Sequence, residues 1–161
     1  MIKLDRKHTP IKLTPTFVKD KTDQYKQTKE AVWNLDWLKE SLLDLSNGKC
    51  AYCECLLTKE SNYMEVEHFE DKKHNPDKVL EWNNLLPSCK HCNGHKSTHN
   101  VIEEPIVNPF IDNPSNHLYF HLYSNLKLLS GFQLPNLLTM QVRHQAKFVP
   151  LLRDVLLHIR T

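Results

Sequence analysis

Two cysteine pairs constrain the fold of this chain more than any other feature. Each pair, Cys50–Cys53 and Cys89–Cys92, has two residues between its cysteines. That spacing lets both sulfurs of a pair point inward from one tight turn, and two such turns supply the four thiolates of a tetrahedral zinc site. Four cysteines leave no open coordination position for a substrate. We therefore predict a structural zinc ion bound by Cys50, Cys53, Cys89 and Cys92.

Disulfide bonds and a redox-active C-x-x-C are the alternatives for these cysteines. The N-terminal stretch lacks the apolar segment of a secretory signal, and no apolar run is long enough to span a bilayer. We therefore expect a cytoplasmic protein, in which thiols stay reduced. A redox role would need only one C-x-x-C pair, whereas one metal site accounts for both pairs. The fifth cysteine, Cys55, is expected to be a spare thiol.

The hydrophobic pattern divides the 161 residues into four parts within one α+β, mainly helical domain. Residues 1–21 alternate apolar with polar positions between prolines, which predicts an extended arm and a candidate for partner contact. Residues 22–48 have helical periodicity, which predicts one supporting helix with Thr22 as its N-cap. Residues 49–100 form the cysteine region, and residues 101–161 form a proline-punctuated C-terminal extension.

Within the cysteine region, a strand is predicted at 64–69, a short strand or turn at 85–87, and a helix at about 90–99. The C-terminal extension contains a strand-like segment around residues 118–123 and a partly helical end.

The net charge of +2 is weak for a protein that would hold nucleic acid by its own field. Its local distribution is uneven, because Glu60 to Asp71 contains no lysine or arginine and Leu86 to His99 contains no acid. The acidic stretch could bind a cation and the basic stretch a phosphate next to it. Alternatively, both stretches are solvent-exposed surfaces without a ligand.

The residues between and after the cysteine pairs resemble a known family. Glu67-His68 comes first, Asn84-Leu85 follows, and Asn93 stands directly after the last cysteine. Order, spacing and cysteine pairs together resemble the HNH endonucleases over about residues 49–99. The resemblance implies a ββα-metal core supported by the four-cysteine zinc site, with an N-terminal helix and a C-terminal extension on either side.

The resemblance also implies catalytic roles. His68 would be the general base that takes a proton from the attacking water, and Asn84 would hold the loop that orients it. Asn83 competes for the second role, and we choose Asn84 because it directly precedes Leu85. An imidazole suits the first role, since its pKa of about 6.5 lets it accept a proton at neutral pH.

A catalytic Mg²⁺ or Mn²⁺ ion is implied at Glu67 and Asn93, since a carboxylate and an amide oxygen form a hard, sparse ligand set. By strand alternation Glu67 faces away from His68, unless the strand end is twisted. Lys96 would contact a phosphate. His91, His95 and His99 would form one stripe of the predicted helix, for which we favour a solvent-facing or nucleic-acid-facing role with His95 as a contact.

The segments GKCAYCE, EVEHF and WNNLLPSCKHCNGHKS, preceded by a tryptophan-containing helix, look like the small HNH effectors of bacterial antiphage systems. These are the PtuB-like proteins of Septu systems and their retron-associated relatives. The resemblance implies a nuclease acting on DNA by default, or on RNA such as tRNA. It also implies a PtuA-like ATPase partner and, in some systems, a reverse transcriptase with its noncoding RNA. The alternative is a non-catalytic zinc-ribbon module that binds nucleic acid or a partner protein.

Overall fold

The computed structural model describes residues 1–57, 63–123 and 137–142, and for 118–123 and 137–142 it describes the backbone. The predicted α+β class is confirmed, with the helices and strands interspersed along the chain. In chain order they are α1 (Pro15–Thr28), α2 (Asp36–Leu45), β1 (Met64–His68), β2 (Leu85–Cys89), α3 (Lys90–Lys96), β3 (Leu118–Tyr123) and β4 (Leu137–Val142), with single 3-10 turns at Pro76–Lys78, Trp82–Asn84 and Pro114–Asn116.

The prediction of one helix over residues 22–48 is wrong, because the structure has two helices there. Helix α1 begins earlier, at Pro15, where the Thr14 hydroxyl accepts a hydrogen bond from the Phe17 amide at 3.2 Å. Proline has no backbone N–H, but the N–H of the first helical residue has no partner within the helix, so proline costs nothing there. Thr14 followed by Pro15 is therefore a stronger signal for a helix start than Thr22. Lys29 then adopts a left-handed conformation with φ of 61°, which ends α1.

The N-terminal arm is held against the rest of the chain. The Arg6 guanidinium donates to the carbonyl oxygens of Leu85 at 2.9 Å and Asn83 at 3.2 Å. It also stacks over the Phe110 ring at 3.7 Å and lies 5.4 Å from the Trp82 ring centre. The partner contact predicted for this arm therefore stays a prediction, and it would have to use side chains other than Arg6.

Strands β1 and β2 pair in antiparallel register, with Met64 opposite Cys89 and His68 opposite Leu85. The predicted strand at 64–69 is thus confirmed, and of the two alternatives for 85–87 the structure has a strand, which is longer than expected. Helix α3 follows β2 without a loop and packs against both strands. The predicted strand at 118–123 is confirmed as β3, which pairs with β4. The partly helical end is predicted for 140–161; residues 140–142 belong to β4, and the rest lies outside the described residues.

The main core lies where α2 packs against β1 and β2. Burying each of its large aliphatic side chains stabilises the fold by about 1.5–3 kcal/mol. The core thereby fixes the strands that carry the candidate site. In the part of the chain that the structure describes, no helix has both the length and the apolar character to cross a membrane. The fully buried aliphatic residues of this core are Leu38, Leu42, Val79, Leu80 and Leu85.

Candidate zinc centre and active site

The predicted four-cysteine cluster is assembled. The sulfur atoms of Cys50, Cys53, Cys89 and Cys92 all lie within 4.8 Å of one another. Three of these residues are buried and Cys53 is half-buried. Four cysteine sulfurs at this spacing can hold a metal ion such as zinc. Cys55 does not belong to this group.

Backbone hydrogen bonds bring the two cysteine pairs together. The first pair lies in a turn closed by a bond from the Cys50 amide to the Cys55 carbonyl at 2.9 Å. The next amide, that of Ala51, donates to Pro87 of β2 at 2.9 Å. Cys89 ends β2 and caps α3, and its sulfur accepts from the Cys92 amide at 3.4 Å. Both pairs are therefore fixed to β2.

The thiols in this cluster affect one another's ionisation. The pKa of Cys50 is lowered because its thiolate accepts hydrogen bonds from the Cys53, Cys55, Cys89 and Cys92 thiols, although burial acts in the opposite direction. The pKa of Cys92 is raised, first by its hydrogen bond to Cys50 and also by burial. Several thiolates at this separation repel each other, so a bound dication is what would let all four lose their protons.

His68, the predicted general base, is the last residue of β1 and is 3% exposed. Its Nε2 lies 3.0 Å from the carbonyl oxygen of Val79. A carbonyl oxygen can only accept, so Nε2 carries the proton and Nδ1 keeps the free lone pair. The Trp33 ring packs edge-on against the imidazole, with 4.6 Å between ring centroids. His68 is thus oriented from two sides.

Burial lowers the pKa of His68 to about 4. The positive charges of Lys72 and Lys96 lower it further, whereas the Val79 carbonyl and the Asp71 carboxylate raise it. The imidazole is consequently neutral at pH 7, which is the state a proton acceptor needs.

This lowered pKa predicts a pH-dependent stability. The folded-state pKa of about 4 lies below the ordinary value of 6.5, so the unfolded chain binds the proton first as the pH falls. Stability from this group is therefore present above about pH 6.5 and is lost as the pH falls toward 4, by about 2 kcal/mol between pH 7 and pH 5. Urea unfolding at both pH values should show a smaller pH dependence for His68→Asn than for wild type. An equal dependence in both proteins would contradict the shift.

Asn84 is buried and ties down the loop that follows β1. Its Nδ2 donates to the carbonyl oxygens of Glu70 at 3.0 Å and Lys78 at 3.1 Å, and its Oδ1 accepts from the Glu70 amide at 2.7 Å. Lys78 precedes Val79, whose carbonyl contacts His68. The rival residue, Asn83, is exposed. The catalytic role of Asn84 stays a prediction. Its hydrogen bonds hold Lys78, and thereby the neighbouring Val79 carbonyl that contacts His68.

The predicted cation ligands Glu67 and Asn93 contact different partners in this structure. Glu67 Oε1 lies 2.7 Å from Lys96 Nζ and 3.5 Å from the Tyr52 hydroxyl, which donates to it. Asn93 Nδ2 instead donates to Glu65 Oε2 at 2.6 Å. Burial raises the pKa of Glu67, and Lys96 counteracts this by favouring the carboxylate. The Lys96 ammonium thus contacts Oε1 of the Glu67 carboxylate, and the role of Glu67 and Asn93 as cation ligands stays a prediction.

Lys96 is buried in this structure, and its predicted contact with a phosphate stays a prediction. Its side chain is 0% exposed, and its Nζ also donates to the His68 carbonyl at 2.9 Å. The predicted helix over 90–99 is too long, since α3 ends at Lys96 and leaves His99 beyond it. His95 is exposed, and its ring lies 4.1 Å from that of His91. Its contact with nucleic acid stays a prediction.

Sequence reasoning missed three residues of this site: Trp33, Val79 and Glu65. Trp33 and Val79 reach His68 through tertiary packing, for which no local pattern exists. Glu65 did carry a signal, because it occupies the same face of β1 as Glu67 by strand alternation.

Comparison with known proteins identifies two similar bacterial proteins. One, named Septu protein PtuB, from Bacillus thuringiensis, is 46% identical over 144 residues, which cover 89% of this chain and 54% of that protein. The chain resembles Septu PtuB proteins. A second protein named Septu protein PtuB, from Bacillus mycoides strain KBAB4, is 35% identical over 136 residues, which cover 65% of this chain and 44% of that protein.

This similarity to Septu PtuB proteins confirms the predicted PtuB-like resemblance. The chain spans about half the length of the curated relatives it matches. No protein-family model and no solved structure matches it.

Proposed function

We propose that this chain is a metal-dependent HNH nuclease that hydrolyses phosphodiester bonds as the effector of a Septu-like antiphage defence complex. The similarity to two proteins named Septu protein PtuB supports the defence role. The HNH motif residues support the nuclease role, since His68 ends β1, Asn84 lies in the 3-10 turn directly before β2, and Asn93 lies on α3. DNA is the default substrate, and RNA, including tRNA, is the alternative.

The observation that carries the nuclease proposal is the orientation of His68. Its Nε2–H is held by the Val79 carbonyl at 3.0 Å, which leaves Nδ1 as the atom that accepts a proton from water. A general base oriented by a third group is the usual arrangement for activating a nucleophile. Asn84 supports this orientation, because it anchors Lys78 next to the carbonyl that holds the imidazole.

Two cofactors belong to the proposal. Zinc at the four cysteines would stabilise the turn at 50–55 and the junction of β2 with α3 without entering the chemistry. Phosphodiester hydrolysis also needs charge neutralisation on the phosphate, which Mg²⁺ or Mn²⁺ supplies in this class of reaction.

A PtuA-like ATPase and nucleic acid are the proposed partners. The net charge of +2 supports a shared binding surface, because the chain alone has little long-range attraction for a polyanion. A retron reverse transcriptase and its noncoding RNA remain predictions from the resemblance.

The test is a cleavage assay on the chain with its PtuA-like partner, using DNA and RNA with Mg²⁺ or Mn²⁺. His68→Ala should lower the cleavage rate at least about a hundredfold, since it removes the proton acceptor. His117→Ala is the matched control, because His117 is an exposed histidine outside the arm and the HNH region, and it should cleave like wild type. Equal cleavage by wild type and His68→Ala, or no cleavage by wild type, would refute the nuclease.

A non-catalytic zinc module is the second candidate, and the burial of His68 favours it. At 3% exposure the imidazole has little contact with solvent in this state. A module of this kind would bind nucleic acid or the partner protein and leave the substrate intact. Gel-shift binding by wild type and by His68→Ala, without cleavage by either, would support this candidate.

A further inference from the structure

We infer that Trp33, which lies outside the HNH region, is the positioning residue that holds the His68 imidazole for proton transfer. The inference rests on the proposed nuclease function, and it makes the turn between α1 and α2 part of the active site. The contact that carries it joins the two rings, whose centroids are 4.6 Å apart with 80° between their planes.

The Val79 carbonyl alone does not fix the imidazole. His68 Nε2 lies 3.0 Å from that carbonyl oxygen, which anchors one corner of the ring. The terminal torsion of a histidine side chain is broad, so a ring with one hydrogen bond can still turn about that bond. The Trp33 ring meets the imidazole in the edge-on arrangement that aromatic pairs favour, and this second contact limits the remaining rotation.

Trp33 is itself held by helix α1 and by the loop that follows β1. The Tyr25 ring of α1 packs against the Trp33 ring with 5.4 Å between centroids and 65° between planes. The Lys72 ammonium lies 5.4 Å from the centre of the Trp33 ring. The Tyr25 hydroxyl donates to the Lys72 carbonyl at 3.5 Å, which links these two supports. Trp33 therefore presents a fixed surface to the imidazole, as a residue that orients a proton acceptor must.

The break between α1 and α2 is what brings Trp33 to this place. Lys29 ends α1 in a left-handed conformation with φ of 61°, so the chain leaves the helix four residues before Trp33. Val32, directly before Trp33, is buried in the main core. Because the core anchors this neighbour, the turn keeps Trp33 against the end of β1, where His68 lies.

The experiment compares Trp33→Leu with wild type in the zinc-loaded full chain. Leucine keeps an apolar side chain in the turn and removes the ring. Nitrogen-15 NMR of the His68 imidazole at neutral pH reads which ring nitrogen carries the proton. We expect wild type to have the proton on Nε2 and Trp33→Leu to show a mixture of both tautomers, because a ring that turns away from Val79 no longer favours Nε2. Trp33→Phe restores an aromatic edge and should return the wild-type spectrum.

Cleavage of DNA and RNA by the same proteins with the PtuA-like partner gives the second measurement. Trp33→Leu should lower kcat about tenfold and leave KM within about twofold, since a misplaced base slows proton transfer without removing a substrate contact. Trp33→Phe should recover most of the lost rate. Trp37→Leu is the matched control, because Trp37 lies on α2 and packs against Phe17 with 5.9 Å between ring centroids. It should keep the wild-type kcat and the wild-type His68 spectrum.

Four outcomes would overturn the inference. They are a wild-type His68 spectrum in Trp33→Leu, a kcat of Trp33→Leu equal to or above that of wild type, no recovery by Trp33→Phe, and equal effects of Trp37→Leu. A kcat above that of wild type would mean that Trp33 covers His68 and restrains it. The proposed function fails separately: if wild type cleaves nothing, or His68→Ala cleaves like wild type, the nuclease is refuted. The nitrogen-15 spectra alone then decide whether Trp33 orients His68.

Discussion

Replacement of Cys89 by serine is expected to release zinc and to unfold the region from residue 49 to residue 96. Structural zinc contributes about 10–16 kcal/mol of apparent binding free energy in zinc-finger peptides at neutral pH, and most of it is lost when the site is broken. A whole domain is typically stable by only about 5–15 kcal/mol. Cys89 also caps α3 and accepts the Cys92 amide, so its loss affects the helix start as well.

Zinc content and thermal unfolding of purified wild type and Cys89→Ser check this prediction. Cys55→Ser is the matched control, because Cys55 is a neighbouring thiol outside the four-sulfur group. It should retain one zinc ion per chain and melt like wild type. If Cys89→Ser kept both its zinc and its melting temperature, the structural role of the cluster would be wrong.

The cysteine cluster could be predicted from sequence because its geometry is local. A C-x2-C turn aims both sulfurs the same way whatever surrounds it, so only the meeting of the two turns depends on the fold. The choice of Asn84 over Asn83 also rested on local sequence, and the catalytic role of Asn84 stays a prediction. Asn84 directly precedes β2, and the structure buries it while Asn83 stays exposed.

The N-terminal helices could not be predicted with the same success. The apolar positions from Ala31 onward keep helical spacing across the break, so periodicity alone joins the two helices. The break depends on Lys29 in a left-handed conformation and on the packing of Trp33 against His68. Neither is visible in a hydrophobic pattern, because lysine has no strong preference for that conformation.

The partners of the strand acids depend on how β1 and α3 cross, which sequence spacing does not specify. The motif suggested that Asn93 meets the acid directly before His68. The crossing instead matches Asn93 to Glu65 and gives Glu67 to Lys96. Lys96 is buried, which is rare for a lysine unless it is paired. Its pairing partner is what the sequence could not identify.

Glu67→Gln is expected to destabilise the protein by about 3–5 kcal/mol, because it leaves the Lys96 ammonium uncompensated in the interior. Lys96→Met should destabilise it for the converse reason, since the Glu67 carboxylate then loses its cation and the His68 carbonyl loses a donor. The double variant Glu67→Gln with Lys96→Met removes both charges and should recover most of the lost stability.

Urea unfolding of wild type, both single variants and the double variant gives the coupling free energy between the two residues. The surface pair Lys19–Asp23, at 3.0 Å, is the control, and Lys19→Gln should leave the unfolding midpoint unchanged because water already screens that pair. Additive losses in the double variant would mean that the two charges do not depend on each other. Strong coupling would mean that the Glu67 carboxylate and the Lys96 ammonium each stabilise the fold mainly through the other.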